Sequence, residues 1–598
     1  MTEQQDKPRW VFNDPDWWAD TIWSALGSRC LGSPLENLSV TNNWCSAVAS
    51  YAAVLRWLDI QPASTNIRRL RAPFFVAKAM RKWKFADPSL AKNRRNAALD
   101  GFITRNSVAA VAPPVSEPFR TRMRELLRRW LPDPKWDEFT RIYGRFGPGQ
   151  VAERLTHAER ASLLVAGARS IWLDPFSPID TSRCNWGDSE PLIPDSVPPK
   201  RLRASILGRD TARLCAVPKT FDKDRLITVE PVLNSFRQQL CRRVLYESIH
   251  SGPLRGTAMD AEYVDGAQEQ RRLALEASLR RNMGTLDVKD ASDNIPWTHV
   301  QDLFPEWVSR ALSFARSNAF EDPRDRRVYP LHIYAGMGNA TTFVVETLYF
   351  AALVASAHWC LGAKKIKSLP ADVSVFGDDV IASVEVCQYL AEAAIRSFPV
   401  NTDKSFYTGN LRESCGIFAH AGQVLDVPKI DGYADDWVGR QGIAELVKAL
   451  AEDDGMFHPI VATIMAEKPV PNYPFLVDGG LCVSVPWLPF ADDPPMRMNH
   501  DLQRVEVQVR QLEPVCENVP CFEEVGYPRR EASGQLAQSL LAGGSEWRTP
   551  CDATRIDCSQ FPIGTSRQIT IKGRPYVPYP IKDRFRARNR WLRVVPLP

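Results

Sequence analysis

Apolar residues recur along this chain with two different periods, and the change between them divides it. Over the first 140 residues the spacing is helical. In "DPDWWADTIWSAL" Pro15 stands near a start, and Trp18, Ile22 and Leu26 follow on one face. A tryptophan stripe of this kind is read as packing ahead of base stacking. "RFGPGQVAERL" (Arg145 to Leu155) is a Gly/Pro turn leading into a helix, either a boundary or a loop at a binding surface. Between Arg201 and Gly416 the texture becomes mixed. "RLITVEP" reads as a strand ended by Pro231, "NSFRQQLCRRVLYESI" as an amphipathic helix, and "GTLDV" as a short strand. "TTFVVETLYFAALVASAHW" is a long apolar helix, and "VSVF" and "VIASV" are strands around Gly377-Asp378-Asp379. After Gly416 one clear helix, "IAELVKAL", sets Ile443, Leu446, Val447 and Leu450 at helical spacing. The Pro-rich remainder ("VPNYPFLVDGG", "VPWLPFADDPP") reads as irregular and extended, ending in a basic tail.

With 598 residues, 44% hydrophobic and 24% charged, the chain is long enough for several packed domains or one large multi-part enzyme. No window approaches 18 uninterrupted apolar residues, so no membrane partner is expected. The longest apolar run contains Glu346 and reads as a buried helix. The polar start "MTEQQDKPRW" lacks a signal-peptide core, which points to the cytoplasm. Thirteen dispersed cysteines suggest reduced thiols; the Cys516/Cys521 and Cys551/Cys558 spacings do not suit zinc, and no His sits near them. The net charge of +5 is uneven. From Lys572 to Arg593 eight Lys/Arg, including Arg586, Arg588 and Arg590, face one acid, Asp583. A second basic stretch, "IRRLRAPFFVAKAMRKWKFADPSLAKNRR", has Trp83 and several Phe interleaved. Either patch alone is a solvated face; together they favour a nucleic-acid partner bound through its phosphates.

Adjacent aspartates are common here and weak evidence by themselves. Asp453-Asp454 follows a helix, and Asp492-Asp493 runs into Pro494-Pro495; Asp435-Asp436 is a further pair. Only Asp378-Asp379 lies between two strand-like runs, with Gly377 before it to permit a tight turn. It is either an acidic hairpin turn or a metal-binding turn. Unpaired charges among apolar neighbours are costly, and a divalent cation would offset that cost. "GTLDVKDASDN" supplies a second acid, Asp287, at the end of another strand, with Asp290 and Asp293 just beyond. If the two strands are neighbours, Asp287 and Asp378 can bridge two ions, and oxygen-only ligands favour Mg²⁺ or Mn²⁺. "RLCAVPKTFDKDRLITVEP" gathers Arg213, Lys219, Lys223 and Arg225, suited to a triphosphate. "GMGNATTF" offers Gly338 and Asn339, either a ribose contact or merely a turn and a helix cap. Lys404 in "NTDKSF" is a candidate proton donor to pyrophosphate, or simply solvated.

In this order the segments resemble the right-hand palm motifs of RNA-directed RNA polymerases, and most of all the replicase subunit of the small positive-strand RNA bacteriophages, the levivirus group. The matching pieces are "FGPG", "VPKTFDKDRLITVEP", "LDVKDASDN", "GMGNATTF…ETLYFA", "VFGDDVIAS" and "NTDKSFYTGNLRESCGIFAHAG". They run from Phe146 to Gly422, under half the chain. The resemblance implies an α+β right-hand polymerase whose palm is an antiparallel sheet with helices, beside fingers and thumb. It would divide the chain into an N-terminal helical region with part of the fingers (1–145), fingers with the nucleotide channel (146–275), the catalytic palm (276–420), and thumb with basic tail (421–598). It implies Asp287 and Asp378 as ligands of two Mg²⁺ ions, Asp379 supporting them, and Lys404 as general acid. Lys219, Lys223 and Arg225 would face the triphosphate, and Asp293 and Asn339, beside Gly338, would read the ribose 2′-hydroxyl. Arg412 and its neighbours would hold the nascent 3′ end. Expected partners are template and product RNA, nucleoside triphosphates, host elongation factors Tu and Ts and a ribosomal protein, in the cytoplasm of an infected bacterium. Three features depart from the family: Lys289 and Asp290 where small residues are usual, Ala335-Gly336 and Ala340 in a loop commonly "SSMGNG", and Phe376 in place of Tyr. A reverse transcriptase shares the palm and the Asp pair, though Asp293 with Asn339 argues for ribonucleotides. A non-catalytic RNA-binding or packaging protein is the reading from another class.

Overall fold

The structure is a computed structural model that describes residues 11–36, 44–83, 88–133, 149–154, 210–220, 222–363, 368–393, 395–430, 432–452, 455–477, 480–492, 494–502, 504–520, 569–571 and 574–595. Residues 145–148 and 155 of "RFGPGQVAERL" and the Cys551/Cys558 pair lie outside the described residues. Helices and mainly antiparallel sheets combine in an α+β fold, the class that the resemblance implies. Contacts gather the chain into two units: residues 87–424 with 520–576, and residues 1–86 with 425–519 and 577–598.

The first unit is organised around the helix Thr342–Cys360. Its apolar residues run all the way round, so it has no face to offer water. Val345, Leu348, Tyr349, Phe350, Leu353 and Val354 are all fully buried. By length and composition alone this helix could cross a membrane, but 78% of its apolar window is covered by the rest of the protein. It packs with Met123, Leu127 and Trp130 of the helix Phe119–Trp130 and with Val375 and Val380 of a three-stranded sheet. That sheet runs Met283–Asp287, Asp379–Ser383, Ser374–Phe376, antiparallel throughout. The helix Gly266–Arg280 starts against it, where a side chain on Gly266 would strike the Phe376 ring. The segment after the sheet returns to it through a bridge between Thr285 and Phe406, then forms the strands Leu411–Ser414 and Ile417–His420.

A second, four-stranded sheet takes Thr211–Pro218 and Asp224–Val229 as a hairpin, with Ala319–Glu321 and Val328–Pro330 continuing it. Leu214, Leu226 and Phe320 on this sheet bury Leu99 and Phe102 of the helix Pro88–Ala110. Pro231 ends the hairpin's second strand as its missing N–H requires, and the helix Val232–Ser251 begins directly after it.

In the other unit the helix Pro15–Leu26 starts with Asp14 accepting the Asp16 amide at 3.0 Å. Trp18, Ile22 and Leu26 are buried, so the stripe is packing. The aromatics of the basic stretch are packing too: Phe74, Phe75 and Trp83 lie in the core rather than on a surface that RNA could stack on. Ile443, Leu446, Val447 and Leu450 line the buried face of the helix Trp437–Ala451. The two Pro-rich segments are mostly irregular, as expected, but the described residues beyond them are largely sheet. Met496–Asn499 pairs with the long strand Arg504–Pro520, which lies beside Arg574–Val595, and Leu476–Val477 pairs at the far edge. Alternation in "RVEVQVR" carries it: Val507 and Val509 are buried with Val477 and Cys482, and Leu592 and Val594 pack on them.

Candidate active site

The acidic doublet sits on a two-residue hairpin. Phe376 pairs with Asp379, leaving Gly377 and Asp378 as the loop. Gly377 has φ +65°, the left-handed conformation that the first position of a II′ turn requires, and its amide donates to Thr347 Oγ1 at 2.9 Å. Asp287 pairs with Asp379 across the sheet, and the Val288 amide reaches Asp378 O at 3.4 Å. The strand ends therefore bring Asp287, Asp378 and Asp379 together.

Around them the charges interlock. Lys404 Nζ lies 3.3 Å from Asp287 Oδ1, and Asn401 Nδ2 donates to Asp287 Oδ2 at 2.6 Å. Loss of solvent raises the Asp378 carboxyl first, and the Asp287 charge raises it further, while Lys404 and Lys219 pull it back. Asp379 is pushed up to about 6 by burial and then by Asp378; its Oδ2 accepts the Cys415 amide at 3.1 Å and the Cys415 thiol at 3.3 Å. Lys219 is held below the ordinary lysine range by lost solvent, then by Arg225 and Lys404, and Asp378 and Asp287 oppose this. The hairpin that carries Lys219 and Arg225 thus faces the acids. Lys223 lies exposed in its turn, where its carbonyl accepts the amides of Lys219 and Thr220. Two further acids belong to this cluster. Buried Glu413 is pushed up to about 8 by burial first, with Lys404 opposing and Asp379 adding to it, and buried Glu346 is raised well above its usual range by burial and then by Asp378. Glu346 had a signal, a lone acid in an apolar helix; Glu413, Asn401 and Cys415 had none beyond their place in the last segment.

On the other side of Asp287 the turn Ala291–Asn294 presents Asp293, whose Oδ2 accepts from Arg105 Nη2 at 2.9 Å. Asn339 is buried, and its Oδ1 accepts from the Thr341 amide at 2.9 Å and the Thr341 hydroxyl at 2.6 Å. That oxygen closes an Asx turn within its own loop and does not cap the following helix, whose N-cap is Thr341. Gly338 has φ +113° and lies against the strand Asp224–Val229, where the Thr228 amide donates to Met337 O at 2.6 Å.

Arg412 requires a correction. It is fully buried, donating Nε to Met283 O at 2.7 Å and Nη1 to Gly409 O at 2.9 Å and Leu411 O at 2.6 Å. A guanidinium spent on backbone carbonyls inside the protein does not touch RNA. Arg588 and Arg590 are exposed on the strand Arg574–Val595, which also carries Arg586.

Among the described residues no three His, Cys, Asp or Glu side chains converge as a ready-made metal cage. The acids nonetheless fit Mg²⁺, which is held by one or two carboxylates and takes its remaining oxygens from substrate phosphates and water. The mutual repulsion of Asp287 and Asp378 is what such a cation relieves.

Residues 200–428, which contain the acid cluster and the hairpin facing it, match the family model described as RNA replicase, beta-chain. The segment is similar to that family over less than half of the chain. The matched segment is 33% identical over 201 residues to the RNA-directed RNA polymerase subunit beta of Qbeta virus (strain MX1), covering 33% of this chain and 32% of the relative. It is 34% identical over 221 residues to the corresponding subunit of Enterobacteria phage SP, covering 37% and 35%. The match therefore spans about a third of the length of these curated relatives. Among solved structures, the RNA-dependent RNA polymerase of a human picorbirnavirus aligns with TM-score 0.36 and 12% identity, over 74% of this chain and 85% of that one.

Proposed function

We propose that the chain is an RNA-directed RNA polymerase that copies a single-stranded RNA phage genome from nucleoside triphosphates. The observation that carries this reading is Asp287 and Asp378 at adjoining strand ends, with Lys404 on Asp287 and Lys219 across from both. Asp287 and Asp378 hold two Mg²⁺ or Mn²⁺ ions, with Asp379 fixing the hairpin behind them. Ions held there would supply Lewis-acid activation of the attacking 3′-oxygen and charge stabilisation of the leaving pyrophosphate. Lys404 neutralises Asp287 before they bind and protonates the departing pyrophosphate. Lys219, Lys223 and Arg225 bind the triphosphate, Arg225 as a planar fork and the lysines as point charges. Asp293, with the Gly338-Asn339 loop, reads the ribose.

The exposed arginines of the C-terminal strand, Arg588 and Arg590 with Arg586 beside them, hold template or product RNA. Host elongation factors Tu and Ts and a ribosomal protein are the further partners, initiation is primer-independent, and the work is done in the cytoplasm of an infected bacterium. The relatives are named as beta subunits, which supports assembly with other chains. Purified protein, alone and with these partners added in turn, is expected to incorporate labelled ribonucleotides on an RNA template when Mg²⁺ is present. Asp378→Asn is expected to abolish incorporation; activity equal to the parent would remove the metal site from this position. RNA binding with steep salt dependence but no incorporation under any condition would make the chain a binding protein instead.

A further inference from the structure

The turn that carries Asp293 is held from outside the matched segment. Arg105 lies on the helix Pro88–Ala110, and its guanidinium forks between two acids. Nη2 and Nε donate to Asp293 Oδ2 at 2.9 and 3.3 Å, and Nη1 meets Asp290 Oδ2 at 3.3 Å. The platform under this arginine is firm. Phe102 is buried in the apolar cluster of the four-stranded sheet. The neighbouring Asn106 donates Nδ2 to Pro330 O at 2.9 Å, and its Oδ1 accepts the His332 amide at 2.7 Å. Nearer the start of the same helix, Arg94 pairs with Asp224 at 3.0 Å, next to Arg225 of the triphosphate hairpin.

The two oxygens of Asp293 are used unequally. Oδ2 takes both guanidinium hydrogens, whereas among the described residues Oδ1 accepts from Ser292 Oγ alone, at 3.3 Å. A carboxylate oxygen has two lone pairs, so Oδ1 retains the capacity to accept one more hydrogen. Burial raises the Asp293 carboxyl and Asp290 adds to this, while Arg105 is the largest force that keeps it charged. Asp290 sits at φ +48°, an αL conformation that turns its side chain to the far end of the same guanidinium.

We infer that Arg105 is a positioning residue for ribose selection, clamping one oxygen of Asp293 so that the other meets the 2′-hydroxyl of an incoming ribonucleotide. The inference rests on the polymerase reading and on Asp293 as the ribose contact. Asp290, where the family usually has a small residue, anchors the other arm of the fork and keeps Arg105 from swinging over the nucleotide. A site built to receive a hydroxyl discriminates strongly against the analogue that lacks it, provided its own polar group is correctly held.

The test measures kcat/KM for one ribonucleotide and its 2′-deoxy analogue opposite the same template base, in the full chain with any partners it needs. The variants are Arg105→Gln, Arg105→Lys, Asp293→Ala and the combination of Arg105→Gln with Asp293→Ala. The ratio of the two kcat/KM values is expected to fall about tenfold in Arg105→Gln, the scale of losing one charge-assisted hydrogen bond, and by less in Arg105→Lys. In the Asp293→Ala background, Arg105→Gln is expected to change the ratio no further. A merely structural arginine would slow both nucleotides alike, and an unchanged ratio in Arg105→Gln overturns the inference. If that variant does not fold, Arg105→Lys carries the test, and a parental ratio there overturns it equally. Should Asp293→Ala leave the ratio untouched, the ribose assignment itself fails; if it collapses the ratio while both arginine variants keep it, only the role of Arg105 fails.

Discussion

The loop Gly336–Ala340 lies so close to the strand Asp224–Val229 that its two glycines can be told apart by substitution. A methyl group on Gly336 would overlap the Thr228 Cγ2 methyl and stand 3.1 Å from Thr228 Oγ1. One on Gly338 would overlap the Thr228 carbonyl oxygen itself and come within 2.8 Å of Ile227 Cγ2. The first obstacle is the tip of a side chain; the second is backbone that cannot turn aside. Gly338 also has φ +113°, which alone costs a non-glycine residue about 1–3 kcal/mol. Moving the loop to relieve the overlap stretches the 2.6 Å bond from the Thr228 amide to Met337 O, worth about 1 kcal/mol. Gly338→Ala is therefore expected to destabilise the loop by about 3 kcal/mol, and Gly336→Ala by about 1–3 kcal/mol of overpacking. Thr228→Ser deletes the methyl in the way of Gly336→Ala and leaves the carbonyl in the way of Gly338→Ala. The assay combines urea unfolding with ribonucleotide incorporation, on each alanine variant with and without Thr228→Ser. Recovery of Gly336→Ala alone is the expected pattern. Equal recovery of both, or no loss from Gly338→Ala, would refute the geometry of this loop.

Arg412→Met is expected to cost about 3 kcal/mol or more of unfolding free energy, because it strands the carbonyls of Met283, Gly409 and Leu411 in the interior. Urea denaturation measures it, and an RNA affinity that falls with stability untouched would return Arg412 to the RNA surface. Replacing both Arg588 and Arg590 by Gln is expected to weaken single-stranded RNA binding and to flatten its dependence on log salt by about 0.7 for each phosphate no longer neutralised. Binding measured across a salt series decides this, and an unchanged slope would take the C-terminal strand away from the RNA.

What could be read from the sequence was whatever local pattern dictates. A glycine before two acids between apolar runs sets a tight hairpin, and an unbroken apolar run of helical length sets a core helix; both are present where the pattern put them. What was not legible depends on partners far along the chain. Arg105 and Asp293 are 188 positions apart, and nothing near Arg105 distinguishes it from the solvated arginines around it. Arg412 looks like a basic residue on a surface segment, and only the carbonyls folded around it make it an interior strap. Asn339 was open between cap and ligand from sequence, and the Thr341 hydrogen bonds add an internal use that spacing alone could not reveal. The C-terminal sheet is a different kind of miss. Alternation in "RVEVQVR" is visible, but prolines on either side mask it, and a strand without its neighbour cannot be told from an extended coil.

The bond from Cys415 to Asp379 gives two neighbouring, chemically identical side chains unlike duties. Successive residues entering a strand are thrown to opposite sides, so an acid doublet cannot close like pincers on a single object. One carboxylate is a rivet, tying the hairpin to the next pair of strands through a thiol and an amide. The other, in the loop of the hairpin, is left at the open edge, where the proposed ions would sit. Exchanging either for asparagine is thus expected to damage different things, the mounting of the hairpin in one case and the proposed metal site in the other.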